Sequence, residues 1–184
     1  MVDGADPQTA AILDIGGGST EFVVAQSLKP LVLQGESIDM GSVRATEMFI
    51  PRGTGTIQEL EAMEEKLRDY WTTLSDELQQ QLKEKSWIGV AGTVTTLASF
   101  ALDMKTFDVD QLHGYVFDRC AVSDVYEKLA LMSAEQRAAH PMIGSGRADV
   151  IVAGAAVLLT AMEFFDRPSL TVSIRGLRYG ILLI

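Results

Sequence analysis

Apolar and polar positions alternate between two periods along this chain. From Ala10 to Leu13 the chain is apolar, Asp14 and Ile15 follow, three glycines stand at 16–18, and Phe22 to Ala25 is apolar again. That order predicts a strand, a tight turn and a second strand. Pro30 to Ile38 starts apolar and then alternates, with Gly35 a candidate bulge, so a third strand is expected to complete an antiparallel meander.

Beyond residue 40 the period becomes helical. Met40 to Ile50 has partial helical spacing, with Ser42 a candidate cap. Ile57, Leu60, Met63, Leu67, Tyr70, Trp71 and Leu74 recur every three or four residues, and Thr56 with Glu59 forms a capping box. One long helix reaching about Leu82 is expected, its acidic outer face simply solvated. Trp87 to Ala91 reads as a short buried strand that turns through Gly92–Thr96 into a helix from Val94 to Leu102.

Phe107 to Cys120 stays open between a strand and an extended link. Ser123 or Asp124 is expected to cap a helix, and Ser133 with Gln136 opens a second capping box. Arg147 to Phe165 reads as a helix whose small residues, Ala153 to Ala156, permit close approach to a sheet. Leu170 to Ile174 is the last strand, and Arg175 and Arg178 leave it. The order predicts an α/β domain over residues 1–184: a mixed five-stranded sheet with helices on both faces.

The first turn carries the candidate chemistry. Gly16, Gly17 and Gly18 let backbone N–H groups approach a phosphate closely, and Ser19 and Thr20 bring hydroxyls to the lip. Asp14 leaves the first strand and Glu21 enters the second, so two carboxylates flank a phosphate-sized pocket, an arrangement suited to Mg²⁺ that keeps several waters. Gly92 and Thr93 open a helix directly from a strand, which presents free N–H groups and the positive end of the helix dipole as a second anion site. Arg147 at a helix N-terminus is expected to be held by a carboxylate or an anion, structural pairing being the safer reading, and Arg44 taken alone reads as a surface arginine.

Composition bounds the partners. The 184 residues are 47% hydrophobic and 22% charged, which fits an ordinary globular domain and excludes disorder. Fifteen basic against twenty-five acidic residues give a net charge of −10, a surface that repels nucleic acid, membranes and polyanions alike. A polyanionic ligand would have to be held locally and with a metal ion. The single Cys120 and the two histidines, His113 and His140, form neither a disulfide nor a zinc site, which fits a cytoplasmic setting. The polar start MVDGADPQ carries no apolar signal region, and the longest apolar run, Val150 to Met162, is shorter than the roughly 20 residues a bilayer needs.

The sequence DIGGGSTE at 14–21 resembles the second phosphate loop of the exopolyphosphatase and guanosine pentaphosphate phosphohydrolase family. Three further blocks resemble the same family in the same order: GVAGTVTTLA at 89–98, RADVIVAGAAVL at 147–158 and SIRGLRYGIL at 173–182. The resemblance implies a ribonuclease-H-like fold of the actin, sugar kinase and chaperone ATPase superfamily. It also implies hydrolysis of a terminal phosphoanhydride in polyphosphate or guanosine pentaphosphate, with Mg²⁺ as cofactor.

Under the resemblance Asp14 holds the metal, Glu21 holds metal or positions water, and Gly16, Gly17, Gly18, Ser19, Gly92 and Thr93 bind phosphate. Family members resemble two such domains facing each other across a cleft. The phosphate loop and the glutamate base of the first have no counterpart in this sequence. This chain is therefore expected to be the second domain alone, missing its N-terminal partner, weakly active or inactive, with an exposed apolar face that favours a homodimer. A binding module without turnover and a sugar kinase or ATPase fragment are the alternatives.

Overall fold

The computed structural model describes residues 10–26 and 32–176. Three strands, β1 (Ala10–Ile15), β2 (Thr20–Gln26) and β3 (Val32–Ile38), form the expected meander. Then come α1 (Ser42–Phe49), α2 (Ile57–Trp71), α3 (Asp76–Glu84), β4 (Ser86–Val90) and α4 (Ala91–Ala101). The chain continues through α5 (Val109–Leu112), β5 (Val116–Asp118), α6 (Arg119–Leu131), α7 (Ala134–Ala139), α8 (Ile151–Phe164) and β6 (Ser169–Val172). Arg178 lies outside the described residues.

The sheet order is β3-β2-β1-β4-β6-β5. β1 pairs antiparallel with β2 and parallel with β4, and β4 pairs parallel with β6. Antiparallel meander on one side and parallel strands joined by helices on the other make this a ribonuclease-H-like α/β domain. The expected count of five strands is corrected to six. The extra strand is β5, an antiparallel edge on β6 that buries only Phe117. Three residues are too short a run for alternation to be read from sequence.

The core lies on one face of the sheet. Ala11, Leu13, Ile15, Phe22, Val24, Trp87, Leu170 and Val172 belong to it, with α3, α4 and α8 packed on the strands and Trp71 of α2 reaching Phe22. Ile12, Val23 and Ile88 alternate to the other face and are half-buried. Helices on both faces were expected; among the described residues the packed helices serve the core face. Phe22 sits at the centre, edge-on to Trp71 at 5.5 Å and to Phe165 at 5.6 Å between ring centroids. Such aromatic pairs contribute roughly 0.5–1.5 kcal/mol each beyond their buried area, and they fix β2 just after the glycine turn.

α8 is buried all round from Ile151 to Met162, so it threads between the sheet and the outer helices. Its Gly154 is required by packing: a Cβ there would stand 2.6 Å from Thr93 Cγ2 and 3.4 Å from Ser42 Cβ. The starts of α1 and α4 are thereby drawn to one point.

Several helix boundaries differ from the sequence expectation for local reasons. The long helix to about Leu82 is two, because Leu74 is buried and Ser75 caps α3 by accepting from Leu78 N–H while donating to Glu36. Leu74, Leu78 and Leu82 keep facing the core, so the period runs through the break. α6 is capped by Asp118, which accepts from Ala121 N–H, ahead of the expected Ser123 or Asp124. α1 is preceded by Gly41, not capped by Ser42. The turn holding Arg147 precedes α8, which begins at Ile151.

Candidate functional site

The glycine turn leaves the sheet between β1 and β2 at the end shared with the start of α4. Asp14 and Glu21 are direct cross-strand partners, so their side chains project from the same face, side by side. Burial raises the Asp14 pKa above the ordinary carboxylate value, and the neighbouring Glu21 charge raises it further. Glu21 accepts hydrogen bonds from the hydroxyls of Ser19 and of Ser37 on β3, the latter at 3.0 Å. Two acids held this close without a counter-charge are what a divalent cation relieves, and two carboxylates plus water fit Mg²⁺. Among the described residues there is no cluster of three or more His, Cys, Asp or Glu that could hold a metal.

The loop is built by hydrogen bonds that the three glycines leave room for. Gly16 N–H closes onto the Ser19 carbonyl at 2.9 Å. The Gly16 carbonyl accepts from Ser42 N–H, and the Gly17 carbonyl accepts from Val43 N–H and Arg44 N–H at 2.9 and 3.1 Å. The first turn of α1 thus satisfies its own free donors on the loop. Gly41 makes that approach possible, since a Cβ there would stand 2.5 Å from the Gly16 oxygen and 2.6 Å from the Gly17 oxygen. Gly17 and Gly18 are exposed, and neither their N–H groups nor that of Ser19 donate to a backbone acceptor among the described residues.

The hydroxyls expected at the lip are used elsewhere. Ser19 turns to Glu21, and Thr20, fully buried, donates to the Met40 carbonyl at 2.7 Å. Thr93 is buried as well and donates its hydroxyl to the Ile15 carbonyl at 2.8 Å. That bond pins α4 to the end of β1. What Ser19 and Thr93 still offer a ligand is the backbone.

α4 opens directly from β4 with no side-chain cap and no acidic residue in its first turn. Ala91 at the junction has φ of +67°, a left-handed conformation that costs a residue with a Cβ on the order of 1–3 kcal/mol. Such a sharp reversal turns the uncapped N-terminus toward the glycine turn. Arg147 lies against it: a Cβ on Gly92 would stand 2.6 Å from Arg147 Nη2. The Arg147 side chain is exposed, and no ion pair engages it among the described residues. A pocket of about 240 Å³ adjoins it, lined by Thr95, Thr96, Ser99, Phe107 and Met142 among others.

Arg44, on α1, flanks the glycine turn at Gly18. It donates to the Asp39 carbonyl at 2.8 Å and pairs with its carboxylate at 3.6 Å, while Nη2 lies 4.0 Å from where a Gly18 Cβ would be. Arg175 is exposed beyond β6. The structure therefore brings Asp14, Glu21, the glycine turn, Gly92, Thr93, Arg44 and Arg147 together. Gly154 was not foreseen as part of the site's frame; the small-residue run of α8 was the available signal.

The model of the Ppx/GppA phosphatase family matches residues 5–184. The chain is 34% identical over 176 residues to exopolyphosphatase 2 of Mycobacterium tuberculosis, covering 94% of this chain and 54% of that protein. It superposes on the solved Ppx/GppA enzyme of Aquifex aeolicus with a TM-score of 0.83 at 27% identity, covering 95% of this chain and 56% of that one. An exopolyphosphatase structure from Cytophaga hutchinsonii shares the fold at a TM-score of 0.78 and 19% identity. The chain spans about half the length of these relatives. It belongs to the Ppx/GppA phosphatase family.

Proposed function

We propose that this chain is the second of two domains of a phosphoanhydride hydrolase acting on inorganic polyphosphate or guanosine pentaphosphate, and that it turns over little or no substrate alone. The observation that carries this reading is the cross-strand Asp14–Glu21 pair beside the exposed Gly17 and Gly18, with the uncapped start of α4 tied to the end of β1. Its first part also accords with the name of the M. tuberculosis relative, an exopolyphosphatase.

In this reading Asp14 and Glu21 hold Mg²⁺, which supplies positive charge to phosphate oxygens when bound. The N–H groups of Gly17, Gly18 and Ser19 receive the oxygens of the terminal phosphoryl group. Gly92 and Thr93 N–H, with Arg147 beside them, take the next phosphate along the chain. Glu21, fixed by the hydroxyls of Ser19 and Ser37, is placed to orient a water for in-line attack on phosphorus. A net charge of −10 opposes any polyanion at long range, so binding depends on this local set and on the metal.

Among the described residues no third carboxylate, histidine or cysteine joins Asp14 and Glu21 in a metal-type cluster. That shortage supports a base supplied from another domain, and it equally supports the second reading, a polyphosphate-binding module. The test is to measure bound polyphosphate and released phosphate in one sample with Mg²⁺. Binding with negligible release is the expected outcome. Robust release by the 184 residues contradicts inactivity alone, and failure to bind contradicts the site.

A further inference from the structure

The largest buried polar side chain of the described residues belongs to none of the groups above. Arg137, on α7, is 0% exposed. Its guanidinium makes four hydrogen bonds, all to backbone carbonyls: Nε donates to Ala148 at 2.7 Å, Nη1 to Leu129 at 2.9 Å and to Met132 at 2.8 Å, and Nη2 to Gly53. No carboxylate lies within ion-pair distance of it among the described residues. Burying a charge without a carboxylate is costly, and a tie between helices alone could be made with apolar residues at lower cost.

The places it ties are those that carry the site. Gly53 closes the turn after α1, whose first turn holds Gly16 and Gly17. Ala148 follows Arg147, the side chain that lies on Gly92. The two ends also touch directly, since Gly53 has φ of +70° and a Cβ there would stand 2.8 Å from Asp149 Cα. Only a planar fork with five donors can reach Ala148, Gly53 and the end of α6 at once.

We propose that Arg137 is a positioning residue that fixes the turn 147–150 against the end of α1, and so holds Arg147 over Gly92 in register with the glycine turn. The role in phosphate binding rests on the function proposed above; the positioning itself does not. Arg137→Lys keeps the charge and loses the fork, so it can no longer serve all of these carbonyls.

Two readouts test it. The first needs no ligand: the heteronuclear ¹H–¹⁵N NOE of the Arg147 Nε–H in the 184-residue chain. An ordered Arg147 in the unsubstituted protein that becomes mobile in Arg137→Lys supports the proposal. A mobile Arg147 in the unsubstituted protein overturns it even if the variant fails to fold, and an equally ordered one in a folded variant overturns it too.

The second is a double-substitution cycle on affinity for tripolyphosphate with Mg²⁺. Arg137→Lys is expected to weaken binding about tenfold, the effect of losing roughly one charge-assisted hydrogen bond, and Arg147→Ala by a similar factor. With Arg147 already Ala, the Lys substitution should add almost nothing. Equal losses in both backgrounds would mark Arg137 as a general stabiliser and overturn the proposal. No binding by the unsubstituted chain would instead sink the proposed function and leave the NOE to decide the positioning.

Discussion

The glycine turn and the start of α4 both leave backbone N–H groups without a backbone acceptor or a side-chain cap among the described residues, yet they are built in opposite ways. The turn is flanked by acids, Asp14 and Glu21, and its glycines spend their carbonyls on the first turn of α1. The α4 start carries no acid, has the helix dipole behind it and a guanidinium against it. Under the function proposed above, the negative region would need a cation before it could hold phosphate, and the positive one would not. A substrate with adjacent phosphates can use both, and its metal requirement should come from the first alone.

The widest gap between the two regions lies in their glycines. At Gly41 an added Cβ meets the backbone of Gly16 and Gly17, which cannot yield, so Gly41→Ala should destabilise the fold by about 3 kcal/mol or more and remove phosphate binding. Urea unfolding of the variant checks this, and a loss under 1 kcal/mol would mean that α1 does not clamp the loop so closely.

Next in size is Asp14→Asn. Magnesium should stabilise the unsubstituted protein against heat and have no effect on the variant, whereas phosphate without metal should be bound equally weakly by both. Thermal melts with and without Mg²⁺ decide it. Persisting magnesium stabilisation in the variant would place the metal elsewhere.

At Gly92 the added Cβ meets only the flexible end of Arg147. Gly92→Ala should therefore leave stability within about 0.5 kcal/mol while lowering affinity for phosphate, with the magnesium dependence intact. A large loss of stability would show the two glycines to be alike after all.

The smallest effect concerns His140, which precedes the loop lining the α4 pocket. Burial depresses its pKa, Lys105 depresses it further and Asp103 opposes both. Its ring packs on Phe100 at 4.8 Å between centroids, and Nδ1 accepts from Met142 N–H at 3.3 Å. Because the folded pKa lies below the unfolded 6.5, the unfolded chain takes up the proton first as pH falls, and stability should decline from about pH 6.5 down to the folded value. His140→Gln should flatten that decline in a series of denaturant titrations.

Much of this was written plainly in the chain. The two carboxylates and three glycines between two apolar runs placed the turn, the period of 57–74 placed α2, and a strand meeting Gly-Thr showed that a helix follows, although α4 begins at Ala91 and not at the expected Val94. What stayed hidden depended on contacts distant in sequence. Thr20 and Thr93 looked like ligands because a hydroxyl near a turn usually is free; their partners Met40 and Ile15 only become neighbours when the sheet forms, whereas Ser19 turns to Glu21 only two residues on. Arg137 gave no sign at all, since an arginine in a short capped helix reads as a surface residue, and its four acceptors lie between positions 53 and 148. β5 stayed open between strand and link because its three residues are too few to show alternation.

Calorimetric titration of tripolyphosphate into this chain, with magnesium and then with a chelator, tests the central claim most directly. Binding that falls to a weak residual in the chelator, falls to the same residual in Asp14→Asn with or without magnesium, and keeps its magnesium dependence at lower affinity in Arg147→Ala is the predicted result. Equal affinity in the chelator, or an Asp14→Asn variant that binds as well as the parent, would contradict a glycine turn that holds phosphate through its paired acids.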